Sequence, residues 1–338
     1  MKAALLKKFG EPLVLADVPD PEPGPDDVVI RVHACGIDGT DLKLLDGFGY
    51  TPDLPFVMGH EPAGTVEQVG GNVTGVAPGD RVIPYIFLIP PENAWYRAPR
   101  EQLCPEMSGV IGVKNAHGGY ADKLRVPARQ LVPLPDGIPF HDAAVLCDAG
   151  LTAWHAVGRA RIQAGETVLV VGVGGVGSFV VQFVRQAGAR VVAVERSEKL
   201  TWAKQLGVDA ATTAEGLADE IRRIAGGTGV DCVLDIVGST ASLSAGIGAL
   251  RPGGRLVLVG YTPDEYPLSA KLFAQSEFEL IGSRGGSYDD LREVVARAAG
   301  GDIKSIVTAR RPLEQVNEAL ADLRSGRVRG RLVLDLAE

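Results

Sequence analysis

The sequence predicts an α/β protein in two parts, a β-rich, barrel-like domain and a domain built on a doubly wound parallel sheet. Three observations carry that expectation. The chain has 338 residues, beyond the size at which a single core usually stops growing. Residues 1 to about 130 are broken by Pro and Gly into short strand-like runs, the texture of a barrel. From Phe140 onward, helix and strand patterns alternate, as a parallel sheet covered on both faces requires.

Taken in order, the opening MKAALLKKFGEPLVL has no sustained apolar stretch with a small-residue cleavage site. No signal peptide is expected, and the cytoplasm is the expected compartment. Strands are predicted at Val28 to Ala34, Gly64 to Val69 and Arg81 to Ile83. PDPEPGPDD, Pro19 to Asp27, reads as a surface turn because strands flank it closely. Strands then follow at Val168 to Val171, Ala189 to Val194, Asp231 to Ile236, Arg255 to Gly260 and Phe278 to Ile281. Helical patterns lie between them at Ser178 to Gln186, Lys199 to Leu206 and Ala241 to Leu250. Two more helices, DDLREVVARAA and LEQVNEALADL, precede an apolar strand, Arg331 to Leu336, expected to return to the first domain.

Composition excludes several classes. Hydrophobic residues at 46% and charged residues at 22% are ordinary globular values, and no apolar run approaches a membrane span. Thirty-four basic against 42 acidic residues give −8, with no basic cluster to follow a phosphate backbone, so nucleic acid is not an expected partner. The four cysteines, Cys35, Cys104, Cys147 and Cys232, are scattered through a core-rich chain and read as reduced thiols.

The sharpest local signal is TVLVVGVGGVG, Thr167 to Gly177. A β-branched run buried on both faces ends in G-x-G-x-x-G, and a helical pattern follows at once. Gly172 permits the tight turn, Gly174 lets the backbone approach a pyrophosphate, and Gly177 lets helix and strand pack closely. Free N–H groups around Gly175 and Val176 at the helix N-terminus then face the anion. A second strand ends in Glu195, 18 residues after Gly177, where a carboxylate accepts hydrogen bonds from a ribose diol. That predicts NAD rather than NADP. Arg196 follows directly and offers a 2′-phosphate partner if the carboxylate turns away; Lys199 lies close behind.

Further segments carry a resemblance over essentially the whole chain. A-C-G-I-D-G-T-D-L-K (Ala34 to Lys43), G-H-E-P-A-G (Gly59 to Gly64), G-D-R-V, G-G-Y-A, D-A-G-L-T (Asp148 to Thr152) and R-P-G-G-R-L-V-L-V-G (Arg251 to Gly260) stand in one order. Together they resemble the medium-chain zinc-type alcohol dehydrogenases. The resemblance implies a GroES-like catalytic domain in 1–149, a Rossmann dinucleotide domain in 150–286, and a segment 287–338 that completes the catalytic domain. It implies a homodimer or homotetramer too, pairing through the Arg255 to Gly260 strand near the sheet edge.

The resemblance also implies a catalytic zinc on three side chains, with a fourth position left for water or a substrate oxygen. By family register the ligands are Asp38, His60 and Asp148, and Glu61 approaches from behind or exchanges as a ligand. Relatives usually have Cys where Asp38 stands. A set without thiolate is harder and should bind zinc less tightly, so the site is open to zinc, another divalent ion, or none. Taken singly, Asp38 would be a turn or cap residue, His60 a buried histidine and Asp148 the N-cap of a helix starting near Leu151. Thr40 resembles the hydroxyl that bonds the substrate oxygen, and Lys43 stands where some relatives have a relay histidine. Thr152 and Gly260 would border the nicotinamide, and Arg331 resembles a basic residue near the pyrophosphate. The four-cysteine structural zinc of many relatives is not expected. Only Cys104 remains, the other positions falling on Pro90, Asn93 and Tyr96, with Tyr85, Phe87, Trp95 and Tyr96 expected to pack that lobe.

The reaction implied is hydride transfer between a small-molecule alcohol or carbonyl substrate and nicotinamide. The chief alternative on the same fold is metal-free reduction of an activated C=C bond in an enone or enoyl thioester. A second alternative is a nucleotide-binding protein without catalysis.

Overall fold

The computed structural model describes residues 1–336 and divides into two compact units, Met1–Leu151 with Ser287–Glu338, and Thr152–Gly286.

The first unit is built around a strand, Asp27–Ile37, whose residues Val28 to Ile30 and Val32 are fully buried. Glu61–Val69 pairs with it antiparallel along one side. Its other side is shared. Lys123–Pro127 takes the N-terminal half, Lys123 opposite Arg31, while Arg331–Asp335 takes the C-terminal half, Leu334 opposite Cys35. The sheet continues through Arg81–Pro84 and Leu131–Pro133 on one flank and through Val307–Pro312 on the other. The last part of the sequence therefore completes the first domain's sheet. Pro19 to Gly24 contains no regular element, as a surface turn should, and Gly24 accepts the N–H of Asp27 to tighten it.

The second unit holds a six-stranded parallel sheet, in spatial order Ala210–Thr212, Arg190–Val194, Thr167–Val171, Val230–Asp235, Leu250–Leu258, Glu279–Gly282. The strand order reverses between Thr167–Val171 and Val230–Asp235, the crevice where open α/β sheets bind ligands. Every residue of Thr167–Val171 is buried, which explains its continuous apolar run. The helix Gly175–Gln186 buries Phe179, Val180, Phe183 and Val184 at helical spacing against it.

The strand expected near the sheet edge lies one in from it. Arg255 to Leu258 is interior, paired on both sides, and the edge belongs to Glu279–Gly282. An apolar run marks burial on both faces, which an inner strand has and an edge strand does not. Arg255 itself is tied down by a bidentate pair with Glu166 at 2.6 and 2.9 Å. Among the described residues, no helix is long and apolar enough to cross a membrane.

Candidate active site

The site is assembled within the first unit, where the strand Asp27–Ile37 turns into a short helix, Gly39–Leu45. Asp38 is the N-cap of that helix. Its carboxylate accepts the Thr40 N–H at 2.7 Å, and Asp41 reaches back to the Asp38 N–H at 2.9 Å, a capping box. The local role that Asp38 would have by itself is thus real, and it fixes the direction in which the carboxylate points.

His60 enters just before the strand Glu61–Val69 and is 2% exposed. Its Nε2 faces Asp38 Oδ1 at 3.4 Å and Asp148 Oδ2 at 3.7 Å, and its Nδ1 faces Asp41 Oδ1 at 3.5 Å. Neither ring nitrogen makes a hydrogen bond. Burial alone would lower the imidazole pKa, but Asp38, Asp41 and Asp148 outweigh it and hold the ring well above its ordinary value.

Asp148 lies in a π-helical turn, Leu146–Gly150, that runs straight into the helix Leu151–Ala160. It is therefore not that helix's N-cap. The wider turn adds a residue to the repeat and re-aims its side chains, as such turns do at functional sites. One donor atom each from Asp38, His60 and Asp148 lies within 4.8 Å of the others. An ion with bonds of ~2.1 Å to oxygen and nitrogen spans tetrahedral edges of ~3.4 Å, so the donor set and the orphaned imidazole nitrogen fit a divalent cation.

Glu61 stands behind that set, one of the two places expected for it. Its Oε1 accepts the Ala149 N–H at 3.0 Å and the guanidinium of Arg331, while its Oε2 has no hydrogen-bond partner. Burial pushes Glu61 up to about 7 while Arg331 pulls it back down. Arg331, which the resemblance placed near the pyrophosphate, is 4% exposed and donates to Glu61 and to the Ile37 carbonyl at 3.1 Å, with Asp38 at 3.7 Å. A buried guanidinium is retained where a buried carboxylate needs an opposite charge.

Two functional roles escaped the sequence. Asp41 backs His60 from Nδ1, the usual way a carboxylate orients a metal-binding imidazole; the D-x-x-D capping-box spacing was the available signal. Arg331 as the partner of Glu61 had no local signal, since 270 residues separate them. Thr40 sits beside Asp38, its hydroxyl 3.5 Å from Oδ2. Lys43 follows on the same helix, half-buried. Burial lowers its pKa, against the opposing fields of Asp38 and Asp148.

Cys35 and Cys147, which adjoin the ligand segments, are fully buried. The Cys147 thiol donates to the Pro62 carbonyl at 3.2 Å, the Cys35 thiol lies 3.8 Å from the Gly36 carbonyl, and the donor cluster contains no sulfur. In the adjacent lobe, Tyr85 and Phe87 are buried as expected but Trp95 is 38% exposed. The lobe is held instead by Glu101, 1% exposed, which accepts the Arg97 and Tyr288 N–H groups at 2.9 and 2.8 Å. The Arg97 guanidinium lies 3.3 Å from the Tyr288 ring centroid.

In the second unit, the turn after Thr167–Val171 has the predicted form. Gly172 has φ +88°, closed to most side chains, and a Cβ on Gly177 would fall 2.0 Å from the Gly172 carbonyl oxygen. Gly174 has open space where its Cβ would be, and Gly175 and Val176 open the helix. Glu195 follows the next strand, accepting the Val173 N–H at 2.8 Å and the Arg196 N–H at 2.9 Å. Arg196 faces Glu198 at 3.4 Å, and Lys199 closes a short 3₁₀ turn. Thr152 is buried in the first turn of its helix, and Gly260 packs against the Ile236 carbonyl at the strand ends.

Residues 24–136 match the alcohol dehydrogenase GroES-like domain, and residues 175–300 match the zinc-binding dehydrogenase domain. An alcohol dehydrogenase of Geobacillus stearothermophilus is 34% identical over 339 residues, 99% of each chain. The chain belongs to the medium-chain zinc-type alcohol dehydrogenase family. An NAD-dependent alcohol dehydrogenase of Sulfolobus acidocaldarius is 34% identical over 346 residues, 99% of each chain. The crystal structure of an alcohol dehydrogenase from Aeropyrum pernix superimposes with a TM-score of 0.92 at 33% identity, covering 99% of this chain and 100% of that one. This member of the family is accordingly an oxidoreductase of the alcohol dehydrogenase type, with a GroES-like domain and a Rossmann-like parallel sheet.

Proposed function

We propose that the protein is an NAD-dependent alcohol dehydrogenase that interconverts a primary or secondary alcohol and its carbonyl compound with one divalent cation, zinc in the first instance. The observation that carries this reading is the cluster itself. Three donor atoms lie within 4.8 Å, one of them a buried imidazole nitrogen with no hydrogen bond. Asp38, Asp41, Glu61 and Asp148 gather around one imidazole, and Arg331 offsets only part of their charge. Without a further cation that arrangement is costly.

A divalent cation held there would supply Lewis-acid polarisation of a substrate oxygen, and a bound nicotinamide would supply the hydride chemistry. The chain's own residues do the rest. Asp38, His60 and Asp148 hold the ion, with Asp41 fixing the imidazole from behind. Arg331 holds the Glu61 carboxyl below the value that burial alone would give it and engages one of its oxygens. Thr40, beside Asp38, is placed to hydrogen-bond the substrate oxygen and to pass a proton on toward the cofactor ribose and solvent, and Lys43 stands one turn on along the same helix. The turn Gly172 to Gly177 cradles the pyrophosphate, and Glu195 at the next strand's end favours a free ribose diol over a 2′-phosphate.

The unpaired edge Glu279–Gly282, with Leu280, Leu272 and Leu268 each at least 40% exposed nearby in sequence, supports a homodimer or homotetramer. Asp148→Asn keeps the size and removes the charge. It should lower metal content and alcohol oxidation together and leave NADH binding nearly unchanged. Full activity in metal-free protein, above all in reducing a C=C bond, refutes the reading; a clear preference for NADPH refutes the cofactor assignment.

A further inference from the structure

The chemistry of the donor set goes beyond the presence of a cation. Its members are two carboxylates and one imidazole. The two thiols that sequence places beside the ligands are turned elsewhere, Cys147 to the Pro62 carbonyl and Cys35 to the buried backbone at Gly36. Both are fully buried. Asp38 is also fixed by its capping role, because its carboxylate is held by the Thr40 N–H and faces Arg331 at 3.7 Å. The oxygen ligand is thus built into the helix start, and no rotation of a neighbouring side chain would exchange it for sulfur.

We infer that the Asp38–His60–Asp148 centre is a thiolate-free, oxygen-rich site that discriminates weakly among first-row divalent ions, admitting Mn(II) and Co(II) in competition with Zn(II) and giving Cd(II) no advantage. The inference rests on the cation site proposed above. Thiolate is soft and polarisable. It strengthens zinc and cadmium binding far more than manganese binding, whereas carboxylate and imidazole accept all of them in the ordinary divalent series. Removing every thiolate therefore lowers the zinc preference without abolishing the site. Asp38, Asp41 and Asp148 also face the imidazole, and Arg331 and Lys43 offset only part of their charge, which rewards charge rather than softness.

The test uses full-length protein stripped of metal and does not rely on turnover. Reloaded with Co(II), the protein should show ligand-field bands and no near-ultraviolet sulfur-to-cobalt charge-transfer band. Such a band in the unsubstituted protein means that Cys35 or Cys147 ligates, and it overturns the inference while the proposed function stands. Competition titrations against a chromophoric chelator then give the ratio of Mn(II) to Zn(II) dissociation constants. Asp38→Cys should introduce the charge-transfer band and raise that ratio about tenfold or more, with Cd(II) binding strengthened alongside. Asp148→Cys provides an independent second substitution should the capping role of Asp38 make the first unstable. If both folded variants show the band yet leave the ratio unchanged, the inference fails. If the unsubstituted protein takes up no divalent ion at all, the inference and the proposed function fail together.

Discussion

Replacing Arg331 by Met keeps most of the volume and removes the guanidinium that Glu61 relies on. The variant strands Glu61 behind an exposure of 0%, leaves the Ile37 carbonyl without its donor, and deprives Asp38 of a positive neighbour at 3.7 Å. Breaking a buried ion pair from one side costs about 3–5 kcal/mol. For a unit of about 200 residues each kcal/mol corresponds to ~2–4 °C, so the first unit should melt ~6–20 °C lower. The deficit has a direction in pH. Burial already raises Glu61 to about 7 with Arg331 present, and its loss raises the carboxyl further. A carboxyl raised on folding costs nothing while protonated, and stability is lost as pH rises through the folded value, so the deficit is smallest in acid and largest in alkali. Differential scanning calorimetry of chelator-treated protein reads this directly. Combining Arg331→Met with Glu61→Gln removes both charges and should recover at least half of the loss. An Arg331→Met protein that melts within ~2 °C of its parent, or a double variant as unstable as the single one, would refute the claim that the pair is a charge-compensating unit.

Two further outcomes are expected. His117 Nδ1 accepts the Val57 N–H at 3.2 Å and its ring packs on Phe56, and burial, with Arg125 adding to it, depresses its pKa below the ordinary 6.5. Stability tied to the neutral ring is complete above pH 6.5 and lost as pH falls through the folded value. His33, depressed mainly by burial, acts the same way. The melting temperature of the parent should therefore lose ground to that of His117→Asn between pH 7 and 5; parallel curves would contradict this. Gly177→Ala places a methyl 2.0 Å from the Gly172 carbonyl oxygen, which forces helix and strand apart. NADH affinity, followed by fluorescence titration, should drop about tenfold or more, and an unchanged dissociation constant would remove the glycine turn from the cofactor site.

What sequence made legible was local. The glycine turn, the strand before it and the helix after it occupy consecutive residues, so hydrophobic period and glycine spacing describe them together. Asp38, His60 and Asp148 sit in short segments that resemble the family's ligand segments, and the structure brings the three together. The roles that were missed are those set by distant packing. Nothing near Arg331 announces Glu61, because the contact exists only once two strands from opposite ends of the chain join the same sheet. Nor does apolarity reveal order within a sheet: Arg255 to Leu258 reads as a strand, but its inner position depends on Glu279–Gly282 pairing outside it. The π turn at Leu146–Gly150 was invisible for a third reason, since one added residue in a helical repeat leaves the apolar period almost intact.

The shared flank of the Asp27–Ile37 strand gives the protein an order of assembly during synthesis. Thr152–Gly286 is uninterrupted in sequence and leaves the ribosome whole, able to bury its own core as it emerges. The Met1–Leu151 part, made earlier, must wait. The positions opposite Ala34 to Ile37 belong to Asp335 and Leu332 to Leu334, which are translated only after all of Thr152–Gly286. Until they dock, Glu61 faces Asp38 and Asp148 with no guanidinium. A nascent chain arrested before Gly330 would carry a closed nucleotide-binding half tethered to an open one, and the Glu61–Arg331 pair would form only once the Arg331–Asp335 strand docks.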